Sequence, residues 1–414
     1  MKCNTRFFTL FFILLLALSG CGRETQNSTA ADTASISDQI TADDPDHAID
    51  PSTGVSDSVE FKDMIGRTLT LTPGTYQRVV CIGAGALRMY CYIGDVDLLC
   101  GVEDIDNLSL SERPAMFDGV ARPYMLAYGE QFKSLLSCGV GGPNAQAAEA
   151  EKILSCDPDI VISEYEDVEK ADALQMQLGV PVVTLRTGAD GVFAEEFKGS
   201  LELLGQIFGK EARADELLDF VDSEVAAIRE AAAQATADVT SDALPAAYIC
   251  GLGNWGTTNH LMTARNFKPF EIAGIRNVID SSGVNGVQAI EAETFVALGA
   301  SMDVMLLDAA AVKNIKPLYR EDSTMFDCCK AWTTGEVYLQ MAYNVYYTNF
   351  EIALANTWFA AKSVYPEQFA EVDMTAKLNE ITTAFLGQEL ADAIYTCPAS
   401  FGGYQQIDTA TFFG

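Results

Sequence analysis

The sequence predicts an α/β protein of two Rossmann-like lobes joined by a long rigid α-helix, with a ligand cleft between the lobes. Three observations carry this. From residue 59 onward, short apolar runs alternate with amphipathic stretches, the pattern of strands wrapped by helices. About 355 residues remain from there, more than one hydrophobic core usually holds. The alternation is interrupted by one long helical stretch and then restarts in the same order.

The first lobe is set at 58–208. "RVVCIGAG" is a buried strand ending in glycines, "ALRMYCYIG" has helical spacing, and "LLCGVED" is the next strand. "AEKILSCDPDIVISEY" reads as helix then strand, and "LGVPVVTLRTG" as a strand running into a turn. Between 193 and 235 the text is helical, with Gly209 as the break. Residues 210–234 form a strut of about 37 Å at 1.5 Å per residue, and the connecting helix is placed over 209–236. The second lobe follows at 244–414. "AAYICGLGN" (246–254) repeats the layout of "QRVVCIGAG" (77–85), and "ETFVALGASMDVMLLD" (293–308) that of "EKILSCDPDIVISE" (151–164).

The N-terminus has a different logic. Lys2 and Arg6 precede 14 uncharged residues ending in Ser19 and Gly20, a secretory layout too short for a membrane span. Leu18-Ser19-Gly20-Cys21 resembles a bacterial lipobox, which makes 1–20 a signal peptide and Cys21 the lipidated residue. Residues 21–57 lack aromatics and are rich in Ser, Thr, Ala and Asp, so they read as a disordered tether. The expected location is the extracytoplasmic face of the cell membrane, held by the lipid.

The chain carries 26 Lys plus Arg against 58 Asp plus Glu, a formal charge of −32. Such a surface repels phosphate backbones, which argues against nucleic acid as a partner. Of eleven cysteines, nine remain after Cys3 and Cys21, with no CxxC spacing. Cys81 and Cys250 sit in apolar runs as small hydrophobes. Cys328, Cys329, Cys138 and Cys156 are candidates for bridging, with the connectivity open.

Ligands of parallel α/β lobes bind outside the carboxyl ends of the strands. That nominates the loops at 83–87, 122–128, 139–144, 164–167, 186–190, 251–258, 282–287 and 343–351. Read together, the segments 59–103, "EKILSCDPDIVI", "LGVPVVTL", "SLELLGQIFGKEARADEL" and "YYTNFEIALANTWFAAKSVYPEQF" resemble the substrate-binding lipoproteins of ABC importers for iron(III)-siderophores, haem or cobalamin. The resemblance runs from about 59 to 388 and rests on the order of the pieces.

It implies a monomeric receptor, without catalytic residues or a resident cofactor, that delivers a chelate to permease and ATPase subunits. One glutamate per lobe docks to the permease in that family. Glu151, ahead of the "PD" strand, fits the first position; Glu293 is taken for the second, with Glu291 as the alternative. With His47 and His260 as the only histidines, a multi-His site for a bare ion is not expected. For the chelate, Gly85 allows close backbone approach. Trp255 with Asn254 and Thr257, and Tyr124, Tyr343, Tyr346 and Tyr347 with Asn349, offer rigid faces with polar tips. Arg122 and Arg186, and less so Arg88, offer forks for carboxylates or catecholates.

Enzyme classes fit less well. "VVCIGAGALRMYCYIGDVDLLCGVED" has the strand, Gly-x-Gly and acid (Glu103) of a dinucleotide site, but Arg88 stands where the third glycine belongs. A serine-hydrolase elbow is not in the text. A sensor or adhesin built on the same two lobes is the main alternative to a transport receptor.

Overall fold

The computed structural model describes residues 57–142, 148–188, 190–240, 243–253, 256, 258–281 and 285–414. The leader, Cys21 and nearly all of the tether lie outside these, as do Asn254, Trp255 and Thr257.

A two-stranded hairpin opens the described chain, β1 (Val59–Lys62) against β2 (Thr68–Leu71). The first lobe follows as β3 (Val79–Ile82), α1 (Ala86–Ile93), β4 (Leu99–Glu103), α2 (Pro123–Phe132), β5 (Leu136–Gly139), α3 (Ala150–Ser155), β6 (Ile160–Ser163), α4 (Val168–Leu178) and β7 (Val182–Thr184). Its sheet is wholly parallel in the order β5-β4-β3-β6-β7. The apolar runs are explained by this: β3 and β6 are buried at every residue because helices cover both faces.

Helix α5 (Glu195–Phe208) stops at Gly209, which takes the left-handed φ of 63° that closes a helix end. Helix α6 (Glu211–Thr236), 26 residues long, then spans about 39 Å. The second lobe contains β8 (Ala246–Cys250), β9 (Met262–Arg265), α7 (Lys268–Ile272), β10 (Arg276–Asn277), β11 (Gly286–Ala289), α8 (Ala292–Gly299), β12 (Val304–Asp308), α9 (Ala309–Glu321), α10 (Lys330–Thr334) and β13 (Val337–Gln340). After them come α11 (Phe350–Val364), α12 (Met374–Leu386), α13 (Ala391–Thr396), β14 (Gln405–Gln406) and α14 (Thr409–Phe413). The second sheet runs β10-β8-β12-β13-β14, parallel except for β14 at its edge.

Two features differ from the sequence expectation. A separate ribbon pairs β9 with β11, setting Arg265 opposite Gly286 and Ala264 opposite Val287. And 244–414 is not one block, because α11 to α13 pack back against helices of the first lobe before β14 returns to the second sheet. Tyr92 of α1 donates to Glu351 at 2.7 Å, and Tyr128 of α2 to the Leu386 carbonyl at 2.7 Å. Almost every residue of helix α11 is buried, the polar Glu351 and Asn356 included, and both of these find hydrogen-bond partners, as a helix enclosed on all sides requires. It is fastened to the strut by Trp358, whose indole N–H reaches Glu224 of α6 at 2.7 Å, while Lys377 of α12 pairs with the same carboxylate at 3.1 Å.

Each of the nine described cysteines is free. Cys328 and Cys329 lie with Sγ atoms 3.7 Å apart and unbridged.

Candidate functional site

The strand order of the first sheet reverses between β3 and β6, and that of the second between β8 and β12, so both switch points offer crevices at strand carboxyl ends. A cleft of about 870 Å³ opens there between the lobes. From the first lobe it takes Ala84, Met116, Phe117, Gly188, Asp190 and Phe193. From the second it takes the β9–β11 ribbon and the turn into α7, with Arg265, Asn266 and Lys268. The loop after β13 supplies the floor, with Tyr343, Asn344, Tyr346 and Tyr347. The volume suits a ligand of drug size or larger.

The polar groups behind these walls explain the local geometry. Tyr346 is buried; its hydroxyl donates to Glu103 at 2.6 Å and accepts the Gly142 N–H at 3.0 Å, and its ring lies 5.7 Å from Phe117. Glu103 ends β4 and also accepts the Gly83 N–H at 3.1 Å. Burial pushes its carboxyl up to about 7 against the pull of those two hydrogen bonds. Glu164, at the end of β6, is likewise raised by burial and then by Glu166. Its Oε1 is sealed from solvent without a donor, 3.5 Å from where a Cβ on Gly85 would stand. That position is also 3.7 Å from the Cβ of Tyr347, ordinary contact distances, so what calls for glycine here is the φ of 102° with which the turn enters α1.

The expected site residues divide. Tyr343, Tyr346 and Tyr347 line the cleft together. Gly85 lies one residue behind the lining Ala84 and under Tyr347. Arg122 and Tyr124 are a correction: they face the interior. Arg122 is 4 % exposed, paired with Asp106 and donating to the Ile105 carbonyl at 3.3 Å, and Tyr124 donates to Asp106 at 2.8 Å. A buried guanidinium must be paired, and Asp106 of the same lobe supplies the partner. Arg186 pairs with Glu166 at 2.8 Å in a half-exposed position outside the cleft lining. Asn349 is fully buried and donates to the Tyr343 carbonyl at 3.1 Å, closing the tyrosine loop rather than facing a ligand. Arg88, 1 % exposed, is also internal. His260 packs between Phe295 and Phe326 at 5.2 and 5.4 Å, where burial lowers its pKa.

Glu151 and Glu293 are both exposed, each in the first turn of a helix that leads into a strand, α3 before β6 and α8 before β12. Glu291 is the exposed residue preceding α8. Arg265, Lys268, Phe117 and Phe193 were missed in the sequence. Lys268 opens a short helix beside Pro269, and its ammonium meets Glu271 at 2.9 Å. Among the described residues no group of three or more His, Cys, Asp or Glu is placed to hold a metal ion.

Two parallel-sheet lobes, a helical link and an aromatic cleft between them define a solute-binding protein. The comparisons agree. The family model described as periplasmic binding protein matches residues 99–322, more than half of the chain, and the chain belongs to that family, whose members work with ABC transporters. No curated protein matches by sequence. Among solved structures, a periplasmic solute binding protein of Veillonella parvula is similar at TM-score 0.61 and 16% identity, covering 86% of this chain and 98% of that one. The molybdate periplasmic binding protein MolA of Haemophilus influenzae, bound to molybdate, is similar at 0.57 and 19%, covering 80% and 98%. A TroA-like periplasmic binding protein, FepB, of Veillonella parvula gives 0.55 and 19%, covering 80% and 97%. At these identities the likeness is one of fold.

Proposed function

We propose that this protein is a lipid-anchored extracytoplasmic receptor that captures a metal chelate, an iron-siderophore, haem or corrinoid, in its interlobe cleft and hands it to an ABC permease. The observation that carries the reading is the lining: Phe117, Phe193, Phe267 and three tyrosines around about 870 Å³, with Arg265 and Lys268 on the second-lobe wall. Aromatic faces stack on a flat or folded chelate, and the two cations meet its carboxylates or catecholates. Trp255, Asn254 and Thr257 are proposed to add to the second-lobe wall, and Glu151 and Glu293 to dock on the permease. Cys21 is proposed as the lipid anchor, and a Cys21→Ser chain should leave the membrane fraction.

A second reading is an oxyanion cargo, since one fold relative is bound to molybdate. One titration separates the two. Haemin, cyanocobalamin, a ferric hydroxamate siderophore and molybdate are added to the purified chain while tryptophan fluorescence and heat are followed. The proposal expects one chelate to bind below about 10 μM, roughly −7 kcal/mol. Binding of molybdate alone would replace it, and binding of none would refute it. Charge reversal at Glu151 or Glu293 should leave that affinity intact and abolish uptake into vesicles carrying the permease.

A further inference from the structure

The loop that floors the cleft is closed by an antiparallel bridge between Asn344 and Thr348, and its tip holds two residues with positive φ, Tyr346 at 49° and Tyr347 at 67°. Successive left-handed positions at a tight tip ordinarily carry Asn-Gly or Gly-Gly, because a Cβ crowds the following carbonyl there. Two bulky aromatics in that conformation are outliers. Such a conformation persists only where its surroundings over-determine it, and those sites cluster at ligand clamps.

Here the surroundings belong to the other lobe. Arg88 of α1 donates to the carbonyls on either side of the pair, Val345 at 3.0 Å and Thr348 at 2.7 Å. Its guanidinium lies 4.9 Å over the Tyr124 ring, and Tyr124 is fixed by Asp106 and Arg122. Tyr346 is held a second time through Glu103. Tyr347, by contrast, is 42% exposed and lines the cleft.

We infer that Arg88 is a positioning residue: from the first lobe it holds Tyr346 and Tyr347 in a strained turn, so that the Tyr347 ring stands in the cleft as a rigid stacking face for a flat, conjugated ligand. A relaxed Asn-Gly tip would fold more easily and would offer no ring. The inference rests on the chelate reading for the ligand, and on the backbone alone for the strain.

The strain is tested without ligand by comparing Tyr347→Gly with Tyr347→Ala. Both remove the same half-exposed ring. On an ordinary backbone Ala is the more stable, since Gly leaves more freedom in the unfolded chain; at a left-handed position the order reverses. The expected result is a Tm for Tyr347→Gly above that of Tyr347→Ala by roughly 2 °C. The opposite order overturns the strain. The clamp is tested by Arg88→Lys, whose point charge does not span two carbonyls. Its Tm loss should be smaller in the wild type, where loosening the turn also releases its strain, than in the Tyr347→Gly background, and equal losses would make Arg88 an ordinary packing residue. With haemin as the probe, Tyr347→Gly and Tyr347→Ala should each weaken binding about tenfold and Tyr347→Phe should not. Unchanged haemin affinity in both truncations overturns the stacking role, whereas no haemin binding by the wild type removes the haem-type ligand from that role and leaves the Gly/Ala order standing.

Discussion

The two walls of the cleft are built from matching strand-turn-helix units yet use their polar residues in opposite ways. In the first lobe the charged groups nearest the strand ends are turned inward: Arg122 on Asp106, Arg88 on the carbonyls of the tyrosine loop, Glu103 on Tyr346 and Gly83. In the second lobe the β9–β11 ribbon and the start of α7 bring Arg265, Asn266 and Lys268 to the cleft itself. The first wall is mainly a scaffold that shapes the floor, with the carboxylate of Asp190 at its rim, and the second brings cations to the lining, Lys268 among them already paired with Glu271. An arginine near a binding cleft is therefore informative only once its partner is known.

The largest expected effect is on the scaffold side. Arg122→Ala leaves Asp106 buried without its ion pair, which costs about 3–5 kcal/mol. Urea unfolding should show that loss as a lowered midpoint. An affinity loss with unchanged stability would move Arg122 to the cleft lining and erase the contrast.

A carboxyl buried at the end of a parallel strand in each sheet, β4 in the first and β12 in the second, sharpens the comparison by pH. Glu103 and Asp308 are both pushed up to about 7, chiefly by burial. Each binds its proton more tightly folded than unfolded, so its stabilising contribution is full below its unfolded pKa and is lost as the pH rises to about 7. For Glu103, from a starting value of 4.5, this amounts to roughly 3 kcal/mol. Stability of the wild type relative to Glu103→Gln should fall across that window in thermal melts at stepped pH. Asp308→Asn should remove a similar slope. Since Tyr346 leans on Glu103 and not on Asp308, chelate affinity should change with Glu103→Gln alone.

On the second-lobe wall the effect is read in binding. Arg265→Ala should weaken an anionic chelate by roughly ten- to a hundredfold, the worth of a charged hydrogen bond. Equal loss for cyanocobalamin and for haemin would show that the arginine shapes the wall rather than meeting a carboxylate.

Much of the framework was legible because it depends on local pattern. An apolar run of four or five residues ending in Gly-x-Gly suits a covered parallel strand, and "VVCI" and "AAYIC" are such strands. The long helix and its break at Gly209 follow from spacing. The tyrosine loop was found because three rings in five residues before a helix have few other uses. What stayed hidden depends on contacts distant in sequence. Nothing in "RPYMLAY" reveals that its arginine meets an aspartate 16 residues upstream. The β9–β11 ribbon is four residues on each side with little alternation, too short to signal itself. Helix α11 carried a partial signal: its run "FEIALANTWFAA" is predominantly apolar, which suits a place inside the molecule.

The most direct test of the two-wall account is a crystal structure of the chain grown with its tightest-binding chelate. The account predicts the ligand stacked on Tyr347 beside Phe117, with its anionic edge toward Arg265 and Lys268 and with Arg122 still on Asp106. A ligand lying elsewhere, or one gripped by Arg122 or Arg186, would contradict it.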